Sequence, residues 1–422
     1  MWSTMPSAKR IVIATLGTLG DLHPCLALAQ ELNRRGHRVT IVSTPYYRTK
    51  VEALGIAFHP MRPDWDPTDR EIMRQFDDLK KGPEVLYRRF VLPQLRGTYE
   101  DLHSVALGAD LMIAGELVYA APLVAEKLDL RWVSAILSPF SFFSSHDPSV
   151  MVTVPSLIHL RKGGPSLYRF GLNVGRLATR HWSNPVRSLR RDLGLSGQCD
   201  PVFRDKFSPD LVLALFSPLL AKQQSDWPLQ TLQSGFLHFH NPATDTSLPS
   251  PLADFLAAGS PPIVFTQGSS AVHNPGDFYE TSAAAALRLG RRAVLLGDKN
   301  SLKPPSAEVL TLPYAAYSQI FPYAAVNVHQ GGSGTTGEAL RSGRPMLIVP
   351  YGWDQPDNAT RIERLGVGLH IARRKYSIDT ATAMLEALLE DPRYAARAAE
   401  VGSQVTAEEG LWSACNAIEA VL

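Results

Sequence analysis

Between residues 326 and 355 the chain presents a succession of signals that few folds can accommodate. Val326-Asn-Val is an apolar, strand-like run, and His329-Gln-Gly-Gly-Ser-Gly-Thr-Thr336 is a turn of glycines and hydroxyls. A helical stretch carrying Glu338 follows, then a second apolar run from Met346 to Val349, then Asp354-Gln355. A strand that turns sharply into a helix aims unpaired backbone N–H groups and the positive end of a helix dipole at one point. Anionic oxygens, above all a diphosphate, are stabilised there. Glycines such as Gly332 and Gly334 let the main chain approach closely, and the hydroxyls of Ser333, Thr335 and Thr336 add donors. His329, at the strand end, adds another. Asp354 and Gln355 offer an acceptor pair and an amide, the groups that grip sugar hydroxyls. Phosphate grip followed by sugar grip describes a nucleotide-sugar site. Taken alone, the glycine-rich turn is equally a tight connection with no ligand.

With 422 residues the chain exceeds what one hydrophobic core usually serves, and two domains of about 200 residues each are expected. The first half alternates strand and helix: runs at 10–16, 38–43, 56–59, 111–114, 131–135 and 211–216 read as strands, with an amphipathic helix from about Pro24 to Arg35. The second half repeats the pattern with runs at 262–266, 292–296, 309–312, 326–328 and 346–349. Alternation of this kind implies right-handed crossovers and parallel sheets covered on both faces, an α/β class with doubly wound sheets. The expected division is 1–225, a linker and entry segment at 226–259, a second domain at 260–405, and a terminal helix at 406–422 packing back on the first domain. Two such sheets face their ligands at the carboxyl ends of the strands. Cys25, Cys199 and Cys415 are odd in number and far apart, which argues against a disulfide framework or a zinc site and for a reducing cytoplasm. No signal peptide is expected ahead of the first strand, and no apolar run reaches the roughly 20 residues of a membrane span.

Together these motifs resemble the inverting glycosyltransferases of family 1, which have the GT-B architecture of two Rossmann-like domains facing across a cleft. The resemblance extends through most of the chain. It rests on 326–336, Gly343-Arg-Pro345, Asp354-Gln-Pro-Asp-Asn-Ala359 and Leu365-Gly-Val-Gly368 in the second half, and on Gly17-Thr-Leu-Gly-Asp-Leu-His-Pro24 in the first. The wording is most similar to the bacterial branch holding the rhamnosyltransferase chain of rhamnolipid synthesis and the sterol and macrolide glycosyltransferases. The resemblance implies that His329 and the 332–336 turn hold the diphosphate of a UDP- or dTDP-sugar, and that Asp354 and Gln355 hold the transferred sugar. It further implies that the backbone from Leu312 to Ala315, Tyr314 included, receives the base, and that Thr18 and the Gly268-Ser269 turn lie at the donor. Many family members use a Glu at the start of this helix for the ribose. The turn here is one residue longer than in the plant version, so Glu338 is either that residue or a solvated first-turn Glu.

Inversion needs a base to take the proton of the acceptor hydroxyl. Many relatives carry a His directly after the second glycine of the first-domain turn; this chain has Asp21 there. A free Asp has a pKa near 4, so an apolar crevice must raise it or a phenolic acceptor must already be acidic. Asp21 is equally placed to cap the following helix. His23 is a rival base, with Glu116 a candidate to polarise it, or a structural residue entering the helix. Asp64-Trp-Asp66 has the form that metal-dependent transferases of another fold use for Mg²⁺. It sits among prolines far from the phosphate motif and reads as a polar loop, so no metal or other cofactor is expected.

Phe140, Phe142 and Phe143 lie where this architecture lines its acceptor site, as an apolar wall or as plain core. Between Arg161 and Arg191 there are eight basic residues and no acidic one, a solvated helix face or a contact with anionic lipid. The expected function is transfer of a hexose to a hydroxyl of an apolar acceptor: phenolic, sterol, macrolide or lipid. A nucleotide-sugar epimerase of the same architecture and a catalytically silent nucleotide-sugar-binding subunit are the alternatives. A dinucleotide oxidoreductase fits poorly, because Gly17 and Gly20 lack the Gly-X-Gly-X-X-Gly spacing.

Overall fold

A computed structural model describes residues 8–76, 78, 81–151, 153–197, 199–241, 248–268, 272, 275–297 and 306–422. Two parallel sheets organise the chain. The first contains β1 (Arg10–Ala14), β2 (Arg38–Ser43), β3 (Ala57–Pro60), β4 (Leu111–Gly115), β5 (Trp132–Ile136), β6 (Leu211–Ala214) and β7 (Thr231–Gln233), in the order β3-β2-β1-β4-β5-β6-β7. The second contains β8 (Ile263–Thr266), β9 (Ala293–Leu296), β10 (Val309–Leu312), β11 (Val326–His329), β12 (Met346–Ile348) and β13 (Gly368–His370), in the order β10-β9-β8-β11-β12-β13. Each strand of β1 type is buried on both faces: Ile11 and Ile13 enter one core cluster, Val12 and Ala14 the opposite one. That is why such strands read as unbroken apolar runs rather than alternating ones. The strand order reverses between β1 and β4 in the first sheet and between β8 and β11 in the second. Crevices at the carboxyl edge of doubly wound sheets open at such points, so the loops after β1, β4, β8 and β11 are the ones placed to bind.

Two elements differ from the sequence expectation. The first helix runs Leu19–Arg34 and so begins before Pro24, which lies inside it. The proline forfeits one hydrogen bond in the second turn, and the capping chemistry at Thr18 starts the helix regardless. The 226–259 segment is more than a linker, since β7 pairs in parallel with β6 and closes the first sheet. Phe236 then enters the cluster that runs from Phe142 and Phe216 into Val264 and Leu340 of the second sheet's core. The last helix, Gly410–Ala420, packs Ala414, Cys415 and Ile418 against Leu22 and Ile11. Arg35 holds it by donating to Glu419 at 2.6 Å and to Asn416 at 2.7 Å.

The 144–150 segment of the first domain reaches the helix Gln355–Leu365 of the second. Arg361 donates to Asp357 at 2.8 Å and pairs with Asp147, and the Val150 N–H donates to Asp357 at 2.9 Å. The side chains of Arg361 and Asp357 are 2% and 1% exposed, so removing the cation strands a buried carboxylate. R361A is expected to destabilise the protein by about 3–5 kcal/mol, read as a lower urea midpoint at unchanged slope. A midpoint within error of the parent's would show that water reaches Asp357.

Candidate active site

The first half of the site is built by the turn after β1. Gly17 adopts φ +135°, and a Cβ there would lie 2.1 Å from Asp21 Oδ2. The turn therefore wraps directly over the carboxylate, which only glycine permits. Thr18 is the N-cap and accepts from the Gly20 N–H at 3.3 Å, while Asp21 Oδ2 accepts from the Thr18 N–H at 2.8 Å, a reciprocal capping box. Capping engages one of the two Asp21 oxygens. Burial pushes the Asp21 pKa up to about 7; the Thr18 N–H opposes this, and the nearby carboxylates of Glu116 and Asp354 raise it further. Asp354 belongs to the second domain, so the two half-sites face each other across the cleft.

Glu116, on the turn after β4, accepts from Ser141 Oγ at 2.8 Å and from the buried Lys206 ammonium at 3.2 Å. Burial lowers the Lys206 pKa, and Glu116 pulls it back up. An opening of about 300 Å³ lies between Asp21, Cys25, Glu116, Leu117 and Leu137. His23 points to the linker, where its ring stacks on Phe239 with centroids 4.8 Å apart. Glu116 is thus held by Ser141 and Lys206 rather than serving His23. The acceptor-side aromatics divide. Phe142 is core, stacked on Trp227 at 3.9 Å and on Phe207 at 5.4 Å, and does not form a crevice wall. Phe140 and Phe143 are partly exposed and meet at 5.8 Å, with the Lys206 ammonium 4.9 Å from the Phe143 ring.

The second half lies at the end of β11. His329 is fully buried, and its Nδ1 accepts from the Gly331 N–H at 3.0 Å. Burial lowers its pKa to about 3, so the ring is neutral and carries its proton on Nε2. That atom is buried and has no partner among the described residues. Gly331 sits at φ +91°, with a Cβ there only 2.7 Å from Ile348. The helix Ser333–Arg341 follows, with Gly332 as an N-cap that supplies no side-chain bond. Its leading N–H groups are left to an outside anion.

The hydroxyls of this turn behave differently from the sequence expectation. Ser333 Oγ donates to Asp354 at 2.7 Å, and Asn358 Nδ2 donates to the same oxygen at 2.9 Å. Thr335 accepts from Gln330 at 3.4 Å, and Thr336 is wholly buried. Successive helical residues rotate by about 100°, so these three side chains cannot all face one ligand. The backbone N–H groups at the start of the helix point in one direction instead. Burial raises the Asp354 pKa to about 6, against the hydrogen bonds of Ser333 and Asn358. Gln355 uses its carbonyl to accept from the Tyr351 and Gly352 N–H groups at 2.8 and 3.2 Å, and so shapes the loop carrying Asp354. Trp353 in that loop has φ +59° and packs against the first domain's core. A bulky residue in that conformation is strained unless its surroundings hold it.

Glu338 accepts from His238 Nδ1 at 2.8 Å and from Arg341 at 2.8 Å, tying the second domain to the linker. Leu312 is buried and Tyr314 exposed at the carboxyl end of β10. Ser269 lies outside the described residues, next to Gly268 at the end of β8. In the 64–66 loop, Trp65 is core and Asp66 caps its own turn through the Thr68 N–H and hydroxyl, both at 2.7 Å. Among the described residues no group of three or more His, Cys, Asp or Glu is placed to hold a metal ion, and no helix is long and apolar enough to cross a membrane. Asn358, Gln330 and Lys206 were not singled out as site residues from sequence, and Glu116 only as a partner for His23. Of these, only Asn358 had a signal: it stands four residues after Asp354, the spacing of neighbours on a helix face.

Comparison with known proteins gives matches over both halves. Residues 11–140 match the glycosyltransferase family 28 N-terminal domain, and residues 301–410 match the erythromycin biosynthesis protein CIII-like C-terminal domain. O-mycaminosyltylonolide 6-deoxyallosyltransferase of Streptomyces fradiae is 30% identical over 97% of both chains. A sterol 3-beta-glucosyltransferase of Aspergillus fumigatus is 27% identical over 97% of this chain and 29% of its own. Among solved structures, the glycotransferase of kitacinnamycin superposes with a TM-score of 0.73 at 22% identity, covering 99% of this chain and 100% of its own. The glycosyltransferase VinC in complex with dTDP superposes with a TM-score of 0.69 at 21% identity, covering 98% and 99%. The fold is that of these two-domain proteins, GT-B.

Proposed function

We propose, from the premise that this chain belongs to the family 1 glycosyltransferases and is a transferase enzyme, that it moves a hexose with inversion from a UDP- or dTDP-sugar to a hydroxyl of an apolar small molecule. The relatives named for macrolide and sterol substrates support an acceptor of that kind. One observation carries the donor assignment: a helix N-terminus without a side-chain cap lies beside a buried, neutral His329 whose Nε2–H has no partner among the described residues. A diphosphate is the group that satisfies both. Asp354 and Asn358 then meet the sugar, and the turn from Leu312 to Tyr314 meets the base, with Thr18 and the Gly268–Ser269 turn beside the phosphates.

Asp21 is the base. In the transfer step an acceptor oxygen bonds to the anomeric carbon as the bond from that carbon to the diphosphate breaks, and the acceptor's proton passes to the Asp21 carboxylate. The leaving charge is met by His329 and the N–H groups of 333–335, so the step needs no metal. Burial keeps Asp21 basic, and the carboxylate of Glu116, fixed by Ser141 and Lys206, adds to that effect. The three thiols are free in the structure, which suits an enzyme of the cytoplasm.

The test crosses UDP-glucose and dTDP-rhamnose with phenolic, sterol, macrolide and lipid acceptors and reads products by mass spectrometry. A glycoside is expected with at least one pair; donor epimerised without acceptor, or bound with no product, overturns the reading. The productive pair should also show a rate that rises with pH through about 7 and then levels. Asp21 is protonated below its pKa of about 7, and only the carboxylate accepts a proton. A rate independent of pH between 5.5 and 8.5 (a window about 1.5 units either side) would remove Asp21 from the step.

A further inference from the structure

The helix Pro165–Thr179 stands away from the body of the molecule. Tyr168 alone among its side chains is buried, its hydroxyl donating to the Ser149 carbonyl at 3.2 Å. Arg169 donates to Ser145 Oγ at 3.0 Å, and Gly171 lies against Leu157 and Leu160. These contacts fix one face. Leu167, Phe170, Val174 and Leu177 recur at helical spacing on the opposite face. They are 42%, 64%, 52% and 70% exposed. A contiguous apolar row of this size on a protein surface marks a contact with something else.

Charge identifies that partner. Of the eight basic residues between 161 and 191, Arg169, Arg176 and Arg190 are engaged by Asp226, Asp200 and Glu126. Arg161 and Lys162 precede the helix; Arg180, Arg187 and Arg191 follow it. These five make no ion pair with a described residue, and the whole stretch holds no acid. An apolar row bracketed at both ends by uncompensated cations matches the interface of an anionic bilayer, acyl chains below and phosphates above. A second copy of the same face would bring like charges together.

We propose that the 165–179 helix docks the enzyme on an anionic lipid surface, with the row of four entering the headgroup boundary and the flanking cations pairing with lipid phosphates. The placement has a use. Ser145 and Ser149 hold the helix, and the same 144–150 segment bonds Asp357 and Arg361 in the helix that starts beside Asp354. A membrane bound there lies next to the cleft and presents it with apolar acceptors.

The full-length protein is mixed with vesicles of phosphatidylcholine alone or enriched in phosphatidylglycerol, and bound protein is recovered by flotation. Binding is expected only to the anionic vesicles and is expected to fall in high salt. Each of Arg161→Gln, Lys162→Gln and Arg180→Gln should weaken partitioning about fivefold, and the pair F170E and L177E should abolish it. All of these residues are exposed, so thermal melting and transfer to a water-soluble acceptor should match the parent. Absence of binding to anionic vesicles, or equal binding by F170E/L177E, overturns the proposal. So does loss of a dimer or of a protein complex in that variant with vesicle binding intact, because the row then serves a protein contact.

Discussion

Asp21→Asn is expected to lower turnover by about 10²- to 10⁴-fold, the usual contribution of a general base, while the donor dissociation constant stays close to the parent's. The asparagine is chosen because it separates two roles that share one side chain. Its amide oxygen still accepts the Thr18 N–H and keeps the start of the 19–34 helix intact, but it cannot take up a proton. Asp21→Ala removes both functions, so it should show the same loss in turnover plus about 1 kcal/mol of stability from the lost cap. The measurements are single-turnover rates with saturating donor, donor affinity by calorimetry, and a thermal melt. If the asparagine variant turns over within about threefold of the parent, far less than a base contributes, Asp21 is a cap and nothing more. The pH profile should disappear with the same substitution, because the group responsible for it is gone.

His329→Ala is expected to reduce kcat by about 10²- to 10³-fold, the cost of losing one pre-aimed donor to developing charge. The donor dissociation constant should rise less than tenfold, because the neighbouring N–H groups of the 333–341 helix remain. The loss should be equal at pH 6 and pH 9. A ring whose pKa is depressed to about 3 by burial is neutral at both, and its Nε2–H donates without changing charge. A loss confined to the acidic side would instead require an imidazolium, which burial opposes. A change in donor affinity with kcat intact would mean that His329 holds the substrate but does not assist departure of the diphosphate.

The sequence was most legible where a chemical need and a local pattern coincide. The glycine and hydroxyl turn at 329–336 follows a β-strand and opens a helix, and the first-domain turn at 17–21 does the same, so both crevices could be located from residue order. Burial on both faces wrote β1, β8, β9 and β12 as apolar runs. By contrast, β7 is only Thr231-Leu-Gln233, too short and too polar to register, and its place depends on β6 being available beside it. Pro24 drew the expected helix start too far along, since proline favours first turns and the signal at Thr18 was one hydroxyl. Side-chain direction was the other blind spot. Whether Thr336 faces a phosphate or the core, whether Phe142 walls a cleft or stacks on Trp227, and whether the carbonyl of Gln355 serves the sugar or its own loop are decided by partners distant in sequence. The apolar row on the 165–179 helix was hidden for the same reason. Its leucines and phenylalanine look like ordinary core until the structure shows nothing packed over them.

Trp353 bears on how this enzyme lets go. The loop that carries Asp354 belongs to the second domain, yet its Trp353 indole packs, partly buried, against the first domain's core through a left-handed backbone turn. Any swing that widened the gap between the lobes would lift that ring from its seat and carry Asp354 with it. Under the proposed function, departure of the spent nucleotide would then be coupled to displacement of Asp354, with the indole as the detent.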